Sequence, residues 1–111
     1  MKIYFRTTKL QKICSQEREM VKELGTKRAA KLKQRLMELR AADTLSVISH
    51  LPPPRCHELS GKESGIFSVD LEHPYRLLFI PADDPIPLRA DGGIDREQVR
   101  EIEILEIRDT H

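Results

Sequence analysis

The sequence predicts an α+β fold in which a helical hairpin packs on a small antiparallel sheet. Over residues 8–40, apolar residues recur every three or four positions with charged residues between them, which is typical of amphipathic helices. After Pro54 the apolar period changes to two, which indicates strands with one buried face. A short alternating segment at residues 2–6 precedes the helices. The predicted order of elements is therefore β-αα-ββ-β-β, within a single domain spanning residues 1–111.

The two helices are predicted to meet at Gly25. Thr8 and Gln11 have the spacing of a capping box at the start of the first helix. Gly25 can adopt the left-handed conformation that ends a helix, and Thr26 can cap the next one. Because the link is so short, we expect an antiparallel helical hairpin.

Four further strands are predicted, and their short turns favour an antiparallel meander. They comprise residues 55–60, 65–71, 74–81 and 100–107. In the last of them, Ile102 and Ile104 lie in one phase of the alternation, whereas Leu105 and Ile107 lie in the other. This change of phase predicts either a β-bulge or a strand that is buried on both faces.

Two connecting segments have the composition of irregular structure. Residues 43–54 end in three prolines, so we expect a short helical turn followed by a stiff spacer. Residues 82–99 are polar and rich in proline and glycine, which predicts an exposed, mobile excursion from the domain.

The composition argues against a membrane protein and an exported protein. No apolar run approaches the roughly 20 residues that a membrane span requires. Residues 1–6 lack the apolar core of a secretory signal, and two cysteines do not make a disulfide framework. We therefore expect a cytoplasmic protein with no membrane partner.

The sequence contains no motif for a bound cofactor. Gly61-Lys62 resembles the end of a phosphate loop, but Glu63 stands where serine or threonine is required. Cys56-His57 is a lone pair without the spacing of a zinc site. We expect neither a metal ion nor an organic cofactor.

Charge is divided unevenly along the chain, although the formal net charge is only +1. Residues 1–40 contain 12 Lys and Arg against 4 Asp and Glu, whereas residues 41–111 contain 7 against 14. A cationic half can follow a phosphate backbone, while the alternative is that these side chains only solvate the outer faces of the helices. The helical cations predicted to be exposed are Lys27, Arg28, Lys31, Lys33, Arg35 and Arg40.

Polar residues also fall on the predicted strands and their turns. They are Arg55, His57, Lys62, Arg76, Asp109 and His111. Arg76 lies in the most apolar stretch of the chain, and its alternative reading is an edge-strand arginine paired with Asp70 or Glu103. Taken alone, His57 is more often a structural histidine than a catalyst, and His111 would carry little weight because terminal residues usually fray.

Three segments of the chain follow a family pattern in the same order. They read HELSGKESGIFSV at residues 57–69, YRLLF at residues 75–79 and IRDTH at residues 107–111. Together they resemble the HigB-type killer toxins of the RelE superfamily, whose pattern is approximately H-x-L-K-G-x-x-x-G-x-[WF]-S-[IV], an aromatic-Arg-[IL]-x-F strand and a closing D-Y-H. Ser60 departs from the lysine that the family often has, and Thr110 departs from its penultimate aromatic residue.

The resemblance implies a RelE-like fold and the toxin of a type II toxin–antitoxin system. Such a toxin is a ribosome-dependent endoribonuclease that cuts mRNA in the decoding site. The implied partner is a small helix-turn-helix antitoxin of the HigA type. The residues that match the family's functional positions are His57, Arg76, Asp109 and His111.

The chemistry of metal-free RNA cleavage suits these residue types. The ribose 2′-OH attacks the adjacent phosphorus, so a base, an acid and a cation for the dianionic phosphorane are needed. Histidine titrates near neutrality, and arginine stays charged and donates in a bidentate fork. We therefore expect Arg76 to stabilise the transition state, and His57 and His111 to transfer protons. Asp109 would orient His111, and Lys62 would contact phosphate.

The basic helices then have an expected role in docking on the ribosome. The sheet would hold the messenger, and Arg55 is a further candidate for binding RNA phosphate. The helical cations expected to dock against ribosomal RNA are Lys27, Arg28, Lys31, Lys33, Arg35 and Arg40. Two alternatives stay open. One is a non-catalytic RelE-fold protein that binds a protein or RNA, which the departures at Ser60 and Thr110 favour. The other is a nuclease that acts on free RNA.

Overall fold

The computed structural model describes residues 1–110, in which two helices pack on one face of a five-stranded mixed sheet. The strands β1 to β5 comprise Lys2–Phe5, His57–Glu58, Phe67–Asp70, Tyr75–Pro81 and Glu101–Asp109. The helices α1 and α2 comprise Thr8–Ser15 and Glu17–Ala41. The predicted α+β class and the predicted order of elements are confirmed.

The sheet is mixed because its first strand pairs in parallel. The strand order is β1-β5-β4-β3-β2, and β2 to β5 form the predicted antiparallel meander. β1 pairs in parallel with β5, from Lys2 opposite Glu101 to Phe5 opposite Ile104. The prediction of a wholly antiparallel sheet is therefore wrong. Short turns indicate antiparallel pairing only between the strands that they connect. Both helices lie between β1 and the other strands along the chain, so no turn indicates how β1 pairs.

The hydrophobic core lies between the helices and the sheet. Its fully buried side chains come from one stripe of α2 and from alternate positions of β3, β4 and β5. They include Leu32, Leu36, Leu39, Phe67, Val69, Leu77, Phe79, Ile102 and Ile104. The rings of Phe67 and Phe79 stack with their centroids 6.0 Å apart. Residues between these positions on the strands must therefore point to the other face of the sheet.

The helical hairpin turns at Gly25, as predicted. Gly25 has a φ of 79° and a ψ of 163°, a region of backbone space that is essentially restricted to glycine. Across this turn, Lys33 Nζ lies 3.3 Å from Glu17 Oε1. A straight helix would hold two residues so far apart in sequence about 24 Å from each other. The two arms of α2 therefore fold back on one another.

The start of the helical region differs from the prediction in two respects. The chain is extended at Gln16, so a break separates α1 from the first arm of α2. Thr7, not Thr8, caps α1, because its side-chain oxygen accepts a 3.1 Å hydrogen bond from the backbone nitrogen of Leu10. The capping-box spacing of Thr8 and Gln11 therefore predicts the wrong threonine as the cap.

β5 contains the predicted bulge. Phe79 lies opposite Ile104, whereas Leu78 lies opposite Glu106, so Leu105 is an extra residue in the ladder. The bulge resets the alternation, and Ile107 therefore returns to the side of the core.

The connecting segments are more ordered than their composition suggests. A 3-10 turn at Leu45–Val47 precedes the three prolines, as predicted. Within residues 82–99, Leu88 forms a bridge with Ile94, and the segment is exposed over most of its length. Its mobility stays a prediction. None of the helices described within residues 1–110 is both long and apolar enough to cross a membrane.

Candidate functional site

The face of the sheet opposite the helices, which we call the helix-free face, carries charged side chains on its central strands. Asp70 of β3 lies opposite Arg76 of β4, and Arg76 lies opposite Arg108 of β5. Nearer the edge, His57 of β2 lies opposite Ser68 of β3. Since directly opposed residues share a face, all five side chains belong to the helix-free face.

The carboxylate of Asp70 lies between two arginines. Arg55 donates to it through two nitrogens, with Nε 2.8 Å from Oδ2 and Nη2 3.3 Å from Oδ1. Arg76 approaches from the other side, with Nε 3.5 Å from Oδ1. The alternative reading of Arg76 as a partner of Asp70 is therefore confirmed. The expectation that Arg76 lies on an edge strand is wrong, because β4 lies between β3 and β5.

Arg55 reaches this position through an unusual backbone conformation. The predicted strand at residues 55–60 is reduced to His57–Glu58, and Arg55 precedes it with a φ of 48°. Side chains with a Cβ rarely adopt this left-handed region, and such residues are concentrated at functional sites. The backbone nitrogen of Asp70 donates a 2.8 Å hydrogen bond to Pro54 O, which holds the preceding connector against β3.

Arg35 does not belong to the exposed basic face that the sequence predicts. Its side chain is only 2% exposed. The guanidinium donates to the backbone oxygens of Asp70 and Pro53, at 2.8 and 3.0 Å, and pairs with Glu38 at 3.1 Å. The prediction that Arg35 binds RNA is wrong. The apolar pattern of a helix predicts which apolar residues are buried. It does not predict that a neighbouring arginine is buried too and donates hydrogen bonds to backbone carbonyl groups.

Arg108 is held by two glutamates. It pairs with Glu63 at 2.7 Å and with Glu106 at 3.2 Å, and these carboxylates raise its pKa. Glu63 belongs to the loop between β2 and β3, residues 59–66, which we call the covering loop. Because β3 and β4 separate β2 from β5, the covering loop must cross the helix-free face to reach Arg108. Ser68 and Leu78 on that face are accordingly buried.

His57 and Lys62 lie around Arg76 rather than in contact with it. His57 is half-buried, and its Nδ1 lies 3.3 Å from Arg55 O. The register places His57 two strands and two residues away from Arg76, or about 12 Å between Cα atoms. Lys62 is exposed on the covering loop.

The end of the chain is only partly described. Asp109 lies opposite Tyr75, whose ring packs against Arg28 of α2, so the register places Asp109 on the helix side of the sheet. The structure therefore does not bring Asp109 together with Arg76. Thr110 donates a 2.7 Å hydrogen bond from its hydroxyl to Pro74 O. The predicted catalytic residue His111 lies outside the described residues.

The remaining helical cations differ in their availability. Lys27 and Lys31 are exposed, as predicted, and Lys27 Nζ lies 3.9 Å from Glu72 Oε2. The guanidinium of Arg28 lies 3.4 Å from the centre of the Tyr75 ring and 3.8 Å from Glu72, so it is engaged within the fold.

Sequence reasoning missed Arg108 and Glu63 as members of the site. The bulge reverses the phase of β5 just before Arg108, and 45 residues separate the two partners. A contact between residues so distant in sequence depends on the strand order, which a single sequence does not give.

Around Arg76, the helix-free face combines Arg55, Arg76 and Arg108 with the carboxylates of Asp70, Glu63 and Glu106. Within residues 1–110, neither Nη atom of Arg76 has a hydrogen-bond partner, so these nitrogens can still bind an anion. The described residues contain no group of three or more His, Cys, Asp or Glu side chains placed to hold a metal ion. The arginines of this site can therefore bind a phosphate, and His57 lies on the same face, about 12 Å from Arg76 between Cα atoms.

Comparison with known proteins identifies the fold. No family model matches the chain, and no curated protein matches it. Among solved structures, the chain is similar to a YoeB/ParE toxin from Agrobacterium tumefaciens, with a TM-score of 0.60 and 10% sequence identity over the whole of both chains. The molecule therefore has the fold of this YoeB/ParE toxin.

Proposed function

We propose that the protein is the toxin of a type II toxin–antitoxin system and an endoribonuclease that cuts mRNA on the ribosome. The observation that carries this proposal is the position of Arg76. It lies on a central strand of the helix-free face, in a chain with the fold of a YoeB/ParE toxin. His57, which also matches a functional position of the toxin family, lies on the same face, and Lys62 is exposed on the covering loop.

The proposed roles follow from the chemistry of 2′-OH attack. Arg76 binds the scissile phosphate through its Nη atoms and stabilises the charge of the phosphorane. His57 and His111 move the protons to and from the two oxygens, and Asp109 orients His111. Lys62 contacts a neighbouring phosphate from the covering loop.

The test is induced expression in a bacterial host, with wild type beside Arg76→Ala, followed by mapping of mRNA 5′ ends. We expect wild type to arrest growth and to produce new 5′-OH ends inside translated regions. Loss of a positioned electrostatic donor costs on the order of 10² to 10³ in rate, so Arg76→Ala should produce neither effect. Arg89→Ala, on the exposed excursion, is the matched control and should behave as wild type.

Full toxicity of a folded Arg76→Ala variant would exclude Arg76 from the mechanism. A His111→Ala variant tests the chain terminus in the same assay, and unchanged 5′ ends would remove His111 from the proposed roles.

The second candidate function is a RelE-fold protein that binds RNA or protein without cleavage. The neighbour's name joins YoeB and ParE toxins, and ParE-like toxins are not endoribonucleases. The carboxylates beside Arg76 and Arg108 favour this candidate, because they offset the positive charge that a phosphorane would need. Normal growth and no new ends, with well-expressed folded wild type, would support it.

The proposed partners are the mRNA and rRNA of the ribosome and an antitoxin of the HigA type. The exposed Lys27 and Lys31 would face ribosomal RNA. The acidic second half of the chain would face elsewhere, towards the antitoxin.

A further inference from the structure

Two arginines on the helix-free face converge on a single carboxylate. Arg55 and Arg76 come from different segments, yet both guanidiniums contact Asp70. We propose that Arg55 and Arg76 form one phosphate-binding site, and that the Asp70 carboxylate occupies this site until a phosphodiester of single-stranded RNA displaces it. The choice of RNA as ligand rests on the proposed function.

The geometry of the contacts supports exchange of one anion for another. Oδ1 of Asp70 is shared by Arg55 Nη2 at 3.3 Å and Arg76 Nε at 3.5 Å, while Oδ2 accepts from Arg55 Nε at 2.8 Å. A phosphodiester also presents two non-bridging oxygens, which a guanidinium fork binds in the same way. The position that the carboxylate holds is therefore one that a phosphate can fill.

The backbone of Asp70 is held more firmly than its carboxylate. The backbone of Asp70 is fixed by hydrogen bonds to Arg35 and Pro54, at 2.8 Å each. Its carboxylate is free to leave by rotation about side-chain bonds alone, without moving β3. The side chains of Arg55, Asp70 and Arg76 are 45%, 26% and 25% exposed, so a phosphate from solvent can reach all three.

The exchange predicts that Asp70 weakens RNA binding. The two arginines and the Asp70 carboxylate together carry a single net positive charge. The carboxylate also repels an incoming phosphate. Removing the carboxylate charge should strengthen binding about tenfold at low salt. It should also make the dependence of log K on log salt steeper, by about 0.7 for each additional phosphate contact on a single strand.

The experiment measures binding of a fluorescein-labelled 2′-O-methyl RNA oligonucleotide by fluorescence anisotropy, at salt concentrations from about 50 to 200 mM. This RNA lacks the attacking hydroxyl, so binding is separated from cleavage. Asp70→Asn is compared with wild type. Asparagine is similar in size, and the backbone hydrogen bonds of residue 70 are retained.

Asp91→Asn is the matched control. Asp91 also pairs with an arginine, Arg89, at 3.3 Å, but it lies on the 82–99 excursion and not on the sheet. Both substitutions change the net charge equally, although Asp91→Asn releases one Arg–Asp ion pair and Asp70→Asn releases two. We expect Asp91→Asn to bind RNA within about twofold of wild type. Adding Arg76→Ala to Asp70→Asn should abolish the gain, because the gain acts through Arg76.

Three results would overturn the inference. Equal gains from Asp70→Asn and Asp91→Asn would mean that only net charge matters. Weaker binding by a folded Asp70→Asn variant would mean that Asp70 supports the site and does not compete for it. No binding by wild type or by Asp70→Asn would mean that the arginines form no phosphate site.

A second variant covers the case in which Asp70→Asn does not fold. Arg55→Gln removes one proposed phosphate ligand and leaves Asp70 to Arg76, so RNA affinity should fall at least fivefold. Unchanged affinity would overturn the inference. Wild type that binds this RNA and cuts no mRNA in the cell would refute the proposed function alone.

Discussion

The side chain of Arg35 donates a 2.8 Å hydrogen bond to the backbone oxygen of Asp70, from the side of the sheet opposite the Asp70 carboxylate. Asp70 is thereby held from both sides, by a buried arginine of α2 and by Arg55 and Arg76 on the helix-free face. The same buried guanidinium holds Pro53 O, so the proline connector that leads into Arg55 is fixed as well. The helices therefore set the position of the candidate site through one side chain.

Replacement of Arg35 by methionine should destabilise the protein by about 2–4 kcal/mol. Methionine fills much of the space but leaves the oxygens of Asp70 and Pro53 without their donors inside the fold. Urea unfolding measures the change. Lys31→Met, an exposed site one turn earlier on the same helix, should shift the free energy of unfolding by less than about 0.5 kcal/mol. Equal effects of the two substitutions would contradict a structural role for Arg35.

Gly25→Ala should destabilise the helical hairpin by about 1–3 kcal/mol. No heavy atom lies within 4 Å of the added Cβ, so the cost arises from the backbone conformation alone. Thermal unfolding measures it, with Ala30→Ser on the same hairpin as the control at an exposed position. An unchanged melting temperature for Gly25→Ala would show that the turn adopts another conformation in solution.

Alkaline pH should destabilise the protein through its two buried thiols. Burial raises the pKa of Cys14 and of Cys56 from the usual 9.0 to about 11. Between these values the unfolded chain loses thiol protons that the folded protein keeps, so the free energy of unfolding falls as pH rises. The expected slope is about 1.4 kcal/mol per pH unit for each thiol.

Chemical denaturation at pH 8.5, 9.5 and 10.5, conditions chosen to span the titration, measures this slope. A Cys14→Ala/Cys56→Ala variant retains the other groups that titrate in this range. Its stability should fall less steeply with pH than that of wild type, and identical slopes would contradict the assignment to the thiols.

Charge reversal at Lys27 and Lys31 should weaken association with ribosomes about tenfold or more at moderate salt. These exposed cations are the proposed contacts with ribosomal RNA, and loss of phosphate contacts lowers affinity and salt dependence together. Co-sedimentation with ribosomes measures the effect. Reversal at Lys9 and Lys22 changes the net charge equally and serves as the control. The docking proposal is wrong if both pairs of substitutions weaken sedimentation to the same extent.

The sequence predicts well those features that depend on neighbouring residues. Alternation of apolar residues predicts the meander, and its change of phase in the last strand predicts either a bulge or a strand buried on both faces, of which the structure has the bulge. The glycine between two helical stripes predicts the turn at Gly25. The break at Gln16 has no comparable signal, since neither proline nor glycine marks it. The capping-box spacing also selects Thr8, whereas Thr7 caps the helix.

The candidate site is less predictable because it depends on strand order and burial. Arg76 is conspicuous as a cation in an apolar strand, and Asp70 follows as its partner from the short turn between their strands. Arg108 becomes its other neighbour only once β5 is placed beside β4. Arg35 lies next to the buried stripe of α2, and its charge favours an exposed position. Only the packed structure shows that its side chain is buried.

The bulge in β5 has a consequence for how this chain can vary in length. Deletion of Leu105 would remove only the bulge. Ile104 would stay opposite Phe79 and Glu106 opposite Leu78, so Arg108 would keep its side of the sheet. Deletion of one residue between Glu106 and Arg108 would instead exchange the two sides for the rest of the strand. Evolution can therefore gain or lose a residue at position 105 without disturbing the site, and an alignment with distant relatives should place its gap there.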